Sequence, residues 1–168
     1  MKLFIDTFTH RRFGRVVFGV SEKGLRFLTF GKNASTDDVA DYALKHKLEP
    51  VKSKSKTRNV KNQLRQYLDG KRKKFQIKFD IDYLTPFSRQ ILRAAYNIPY
   101  GQTLTYGELA KKVGSTAYRA VGRVMATNPI PIIIPCHRVI GRSGKLTGYA
   151  FGLDVKRRLL ELEKAKIE

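Results

Sequence analysis

One cysteine, Cys136, stands in the 168-residue chain, and His137 follows it directly. A thiol beside an imidazole supplies a nucleophile and a base to take its proton, through a bridging water if the adjacent side chains diverge. Pro135 suits the first position of a helical turn, which would set Cys136 near a positive dipole end and favour the thiolate. A third group lies near the C-terminus. In a helix opening at about Asp154, Val155, Leu159 and Leu162 mark a buried face, and Glu163 falls on or beside it. A carboxylate turned inward needs a partner, and a histidine is a good one. Cys136, His137 and Glu163 thus make a candidate nucleophile, base and orienting group. The competing reading is that a lone buried cysteine is inert packing.

The neighbouring residues decide how Cys136 is held. Asn128-Pro129-Ile130-Pro131 must be extended, because residues before proline avoid the helical region. Ile132, Ile133 and Ile134 are too apolar for the surface and drive the segment through Ile140 into or beside the core. Upstream, Thr105-Tyr106-Gly107-Glu108 matches the capping box of a helix running to about Val113. After Gly114, Ser115 or Thr116 can cap a second helix from Ala117 to about Thr127, which carries Arg119 and Arg123. Two short helices around a tight glycine turn have the outline of a helix-turn-helix. Thr85 with Pro86 starts an earlier helix whose Phe87, Ile91, Leu92 and Ala95 face the core.

The N-terminal half reads as strands and helices. Leu3–Phe8 is a strand, and Val16–Val20 and Leu25–Phe30 flank a hairpin turn at Ser21–Gly24. Thr36 caps a helix to about Lys47, and a second begins near Asn59, with Val60, Leu64, Tyr67 and Leu68 on one face and Gly70 as its stop. Phe75, Ile77, Phe79 and Ile81 alternate with polar residues, as in a strand. Lys52–Arg58 reads as a solvated loop, its contact with DNA left open. The fold class is therefore α+β. A small antiparallel sheet with helices over 1–82 precedes a mostly helical domain with a helix-turn-helix over 83–168.

Thirty-four Lys and Arg against 14 Asp and Glu give a net charge of +20, a field that attracts polyanions. A generally basic surface is the alternative. No apolar run nears the ~18–20 residues of a membrane span, and the N-terminus lacks a signal-peptide pattern, so a soluble cytoplasmic protein is expected. One cysteine excludes an intramolecular disulfide, and His10, His46 and His137 lie far apart, so no metal or other cofactor is expected. A cysteine hydrolase would fit the Cys-His-Glu set but explains neither the charge nor the paired helices. A transcription regulator would leave the Cys-His-Glu set without a purpose.

Pro135-Cys136-His137-Arg138-Val139-Ile140, with Asn128-Pro129 before it, resembles the signature of the O6-alkylguanine-DNA alkyltransferases. Ile98-Pro99-Tyr100-Gly101, Arg119-Ala120-Val121-Gly122 and Gly148-Tyr149 extend the resemblance across residues 87–163. It implies direct, stoichiometric and irreversible transfer of an alkyl group from O6 of a flipped-out guanine to the protein's own cysteine, in a single turnover. Activity on O4-alkylthymine is left open. Cys136 would accept the alkyl group, His137 would deprotonate it through water, and Glu163 would orient the histidine. Asn128 would brace the loop, Arg119 would fill the gap in the stack, and Arg123 would contact DNA. Tyr106 would turn the phosphate and give a proton to the leaving guanine. Val139 would offer a backbone contact to the base, and Tyr149 with Ala150 would wall the pocket. The partner implied is double-stranded DNA containing O6-alkylguanine, met by a monomer, with clustering along DNA left open. A non-catalytic damage-binding relative would lack the cysteine. Zinc, held by N-terminal cysteines in some members, is not expected. Phe151 stands where animal relatives have a small residue, so the pocket lip should be tighter if its ring points inward.

Overall fold

The computed structural model describes residues 1–167, which divide into two compact units, Met1–Ile81 and Asp82 onward. In the first, β1 (Lys2–His10), β2 (Gly14–Ser21) and β3 (Gly24–Gly31) form an antiparallel meander, followed by α1 (Thr36–Lys45), β4 (Glu49–Lys52) and α2 (Lys54–Leu68). The strand order is β3-β2-β1-β4. Period-two alternation gives the sheet two apolar faces. Leu3 and Val17 pack with Val39 and Ala43 of α1. Phe4 and Phe8 share the other face with Asp6, which accepts hydrogen bonds from Thr57 (2.8 Å) and Lys61 (3.1 Å) of α2. The buried side of α2, Val60, Leu64, Tyr67 and Leu68, completes that layer.

The structure differs from the sequence expectations at four places. The sheet is mixed, because β4 pairs parallel with β1, Leu3 opposite Pro50 and Ile5 opposite Lys52. α1 is capped by Ser35 in a capping box with Asp38, one residue before Thr36. α2 begins at Lys54, so most of the expected 52–58 loop is helical. The alternating 75–81 segment is extended but forms only an isolated bridge, Leu25 to Phe79. Its apolar residues bury one side as a strand would, yet the Gln63 side chain takes both the NH (2.8 Å) and the carbonyl (3.2 Å) of Gln76, so no regular ladder propagates.

The second unit runs through α3 (Pro86–Tyr96), β5 (Leu104–Thr105), α4 (Tyr106–Lys112), α5 (Tyr118–Ala126), a 3-10 turn at Cys136–Arg138, β6 (Val139–Ile140) and α6 (Leu153–Leu162). Thr85 caps α3 through Ser88 NH (3.2 Å), with Pro86 at its start. The Thr105–Glu108 capping box forms. α5, in contrast, has Ala117 at its cap, and Ser115 instead accepts from Ala117 NH. β5 and β6 pair in parallel, which ties the start of α4 to the stretch just after Cys136. Among the described residues no helix is long and apolar enough to cross a membrane.

Candidate active site

The path into Cys136 is a strained turn held by one side chain. Ile132 has φ of 72°, a left-handed conformation that disfavours a β-branched residue by about 1–3 kcal/mol. Asn128 spans the turn: its Nδ2 donates to Ile134 O (2.8 Å) and its Oδ1 accepts from Ile130 NH (3.1 Å). Ile130 through Ile134 are buried, so the apolar run anchors the loop as its composition requires.

Cys136 then opens the 3-10 turn, with Pro135 at the cap and not inside a helix. Three residues carry little aligned dipole, and burial pushes the thiol above its ordinary range. The expected thiolate is therefore not the resting form. The Asn128 side chain and the positive charge of Lys156 act against burial and favour ionisation.

His137 is fully buried, and its Nε2 lies 2.8 Å from Glu163 Oε1. Burial lowers the imidazole's affinity for a proton more than Glu163 raises it, so the ring is neutral at pH 7. A carboxylate can only accept, so Nε2 carries the hydrogen and Nδ1 is the basic nitrogen. Glu163 itself is buried just past the end of α6, and its carboxyl is held well below the usual carboxylate range by His137 and Arg138 despite desolvation.

Nothing in the local sequence assigns Arg138 a role. Its Nη2 donates to Glu163 Oε1 (2.7 Å), its Nε to Oε2 (2.9 Å) and its Nη1 to Ile98 O (2.6 Å). Gly101 NH donates to Glu163 as well (3.2 Å). The carboxylate is fixed before it meets the histidine, so the ring is oriented by a rigid acceptor.

The apolar pattern of Val155, Leu159 and Leu162 does not point to Lys156 either. The buried positions of α6 are Lys156, Leu159 and Leu160, with Val155 and Leu162 only half-buried, so the face is rotated from the expected one. Residues 156, 159, 160 and 163 share one helical stripe, a spacing that would have flagged a lysine among core positions. Its Nζ donates to Val139 O (2.6 Å), Thr147 O (2.9 Å) and Gly148 O (3.2 Å), and burial lowers it to about 8. It remains charged at neutral pH and clamps the 147–148 loop to β6.

That loop closes a pocket of about 340 Å³, toward the low end of the roughly 300–1,000 Å³ of ligand sites. Cys136, Asn128, Tyr106, Tyr149, Ala150 and Phe151 line it. Tyr149 and Phe151 meet edge to face at 5.5 Å. Burial and the nearby sulfur both raise the Tyr106 and Tyr149 phenols, so each keeps its proton. Tyr106 donates a long bond to Thr147 O (3.5 Å). Val139 is fully buried, with its NH bonded to Cys136 O and its carbonyl to Lys156. Arg119 and Arg123 are exposed on α5, whose Gly122 and Met125 reach the pocket.

The 6-O-methylguanine DNA methyltransferase DNA-binding domain matches residues 86–165, and the ribonuclease-like domain of the same proteins matches residues 7–81. The methylated-DNA–protein-cysteine methyltransferase of Methanosarcina mazei is 43% identical over 154 residues, 91% of this chain and 92% of that protein. The crystal structure of the Mycobacterium tuberculosis O6-methylguanine methyltransferase superposes with a TM-score of 0.80 at 35% identity, covering 96% of this chain and 93% of the other. A structure of the Mycobacterium tuberculosis OGT in complex with DNA gives 0.78 at 36% identity, with 94% and 91% covered.

Proposed function

The chain belongs to the 6-O-methylguanine DNA methyltransferase family, and from that premise we propose that Cys136 is the residue its DNA-repair reaction alkylates. A methylated-DNA–protein-cysteine methyltransferase needs an acceptor cysteine. This chain has one, and it lines the pocket. That observation carries the assignment.

The reaction begins from the protonated thiol. His137 Nδ1 takes its proton through a bridging water, and Glu163 compensates the charge that forms on the ring. The sulfur attacks the O6-alkyl carbon, forming the S–C bond as the C–O6 bond breaks, and Tyr106 gives a proton to the departing guanine. The thioether sulfur is a poor leaving group, so each molecule acts once. An O6-alkyl carbon is hidden in a duplex, so the nucleotide must be turned out into the pocket, at a few kcal/mol. Arg119 fills the gap from the start of α5, and Arg123, one turn on, contacts the backbone. Tyr149, Ala150 and Phe151 wall the base, and the backbone of Val139 contacts it. Asn128 holds the strained turn, and its side chain favours the ionised sulfur. The partner is double-stranded DNA containing O6-alkylguanine, and the same reading has the protein act as a cytoplasmic monomer.

Intact-protein mass after incubation with O6-methylguanine duplex tests this directly. One methyl group should appear and map to Cys136, and Cys136→Ser should bind the duplex without gaining mass. Methylation of the serine variant would remove Cys136 from the role.

A further inference from the structure

The positive charge is unevenly placed. Residues 1–81 carry 20 Lys and Arg against eight Asp and Glu, whereas residues 82–168 carry 14 against six. The unit without the cysteine holds the larger excess. Within it the two helices are opposites. α1 has Asp37, Asp38 and Asp41 against Lys45, while α2 has five cations and no acid in 15 residues. A uniformly lysine-rich surface would load both helices alike.

On α2, Lys54, Arg58, Lys61 and Arg65 stand at i, i+4, i+7 and i+11, one stripe of the helix. At ~1.5 Å per residue the stripe is roughly 16 Å long, about five steps of a duplex at ~3.4 Å each. Lys61 is anchored by Asp6, and the Arg65 guanidinium lies 5.0 Å over the Phe8 ring. Lys54 and Arg58 are exposed, and among the described residues neither pairs with a carboxylate. The adjoining exposed residues, Ser55, Asn59, Asn62 and Gln66, are uncharged hydrogen-bonding groups. Arg72 donates to Gln66 (2.8 Å), which brings the Lys71–Lys74 run to the same end of the helix. The apolar side of α2 is turned inward, so a lipid surface or an apolar protein patch finds no anchor. A row of cations among amide and hydroxyl groups suits phosphate oxygens.

We propose that the exposed face of α2 is a second nucleic-acid contact, which grips the phosphate backbone of duplex DNA without reading its sequence. For its partner this rests on the DNA reading above. Lys54 and Arg58 are its separable members, because neither supports the fold.

The test uses the full chain, an undamaged labelled duplex and fluorescence anisotropy over a range of salt. Each lost phosphate contact flattens the plot of log affinity against log salt by about 0.9. Lys54→Gln with Arg58→Gln should therefore flatten it by nearly two and weaken binding about tenfold at ~0.1 M salt. Lys32→Gln with Lys45→Gln removes the same charge elsewhere on the unit and should weaken it by less than about threefold. Equal behaviour of the two double variants overturns the proposal. So does loss of polyglutamate binding with duplex binding intact, which would assign the face to an acidic protein. Methyl transfer to Cys136 at saturating methylated duplex, read by mass, should match the parent protein in both variants. A slower Lys54/Arg58 variant there would also overturn the proposal. A parent protein that never gains the methyl group would instead defeat the repair assignment and leave the salt comparison standing.

Discussion

Each unit buries an arginine against a carboxylate. In the first, Arg26 Nη1 meets Asp80 Oδ2 at 3.0 Å, with Ser21 Oγ donating to the same oxygen at 2.7 Å. The pair fastens the extended 75–81 segment to the sheet, where Leu25 NH and O bond Lys78 O and Asp80 NH. In the second, Arg138 grips Glu163 through both Nε and Nη2, but a neutral histidine shares the carboxylate and a pocket with a cysteine stands beside it. The first unit also has a hollow, of about 440 Å³, larger than the one at Cys136. Its lining, which includes Ile5, Val17, Val39 and Asp6, brings together no cysteine or histidine, and its one carboxylate is already held by Thr57 and Lys61. Neither a buried ion pair nor a large cavity marks a site. A titratable group that links the pair to a reactive atom does.

The two arginine–carboxylate pairs differ most at His137. His137→Ala should slow methyl transfer by about 10²- to 10⁴-fold, the usual worth of a positioned base, with duplex affinity retained. Single-turnover rates at saturating duplex measure it, and a near-normal rate would reduce the Glu163 network to a structural one like that of Asp80.

The converse variant comes next in size. Asp80→Ala leaves Arg26 buried without its carboxylate and should destabilise the protein by about 3–5 kcal/mol. Denaturant unfolding reports that loss. At a temperature where the variant is still folded, its methyl-transfer rate should equal the parent's; a rate as low as that of His137→Ala would erase the distinction between the two pairs.

Acid titration probes the Glu163 carboxylate as well. The folded state holds Glu163 well below its ordinary value of 4.5. Its stabilisation is therefore complete above about pH 5 and drains away as pH falls toward the folded value. Glu163→Gln should melt lower at pH 7 and lose less between about pH 5 and 3. Curves that stay parallel would show that Glu163 is not the group titrating. Because the thiol is raised and His137 lowered, transfer should hold through pH 6.5–7 and quicken in alkali.

The smallest effect concerns the lip. Phe151 lines the pocket beside Tyr149, so bulky adducts should meet its ring. Phe151→Gly should speed inactivation by free O6-benzylguanine about tenfold, worth ~1.4 kcal/mol, with methyl transfer nearly unchanged. Identical benzylguanine rates would take Phe151 out of the pocket.

What the sequence determined by itself is what local chemistry fixes. The Thr105–Glu108 box, Thr85 with Pro86, the first three strands and the Pro135–Ile140 signature each rest on residues within a few positions of one another. Glu163 was legible because an acid on an apolar helical stripe must find a partner. Tertiary structure alone decided which partners arrived. The alternation at residues 75–81 reports burial on one side, but a ladder also needs an edge whose NH and CO groups are uncommitted, and the Gln63 side chain takes both of those of Gln76. β4 is too short and too charged to announce itself, and it exists because β1 offers it an edge. The thiol's protonation, the clamp of Arg138 on Glu163 and the burial of Lys156 depend on carbonyls and charges contributed from 8 to 40 positions away. Spacing encodes which face of an element is buried, whereas electrostatics in the interior is set by whatever the fold packs against that face.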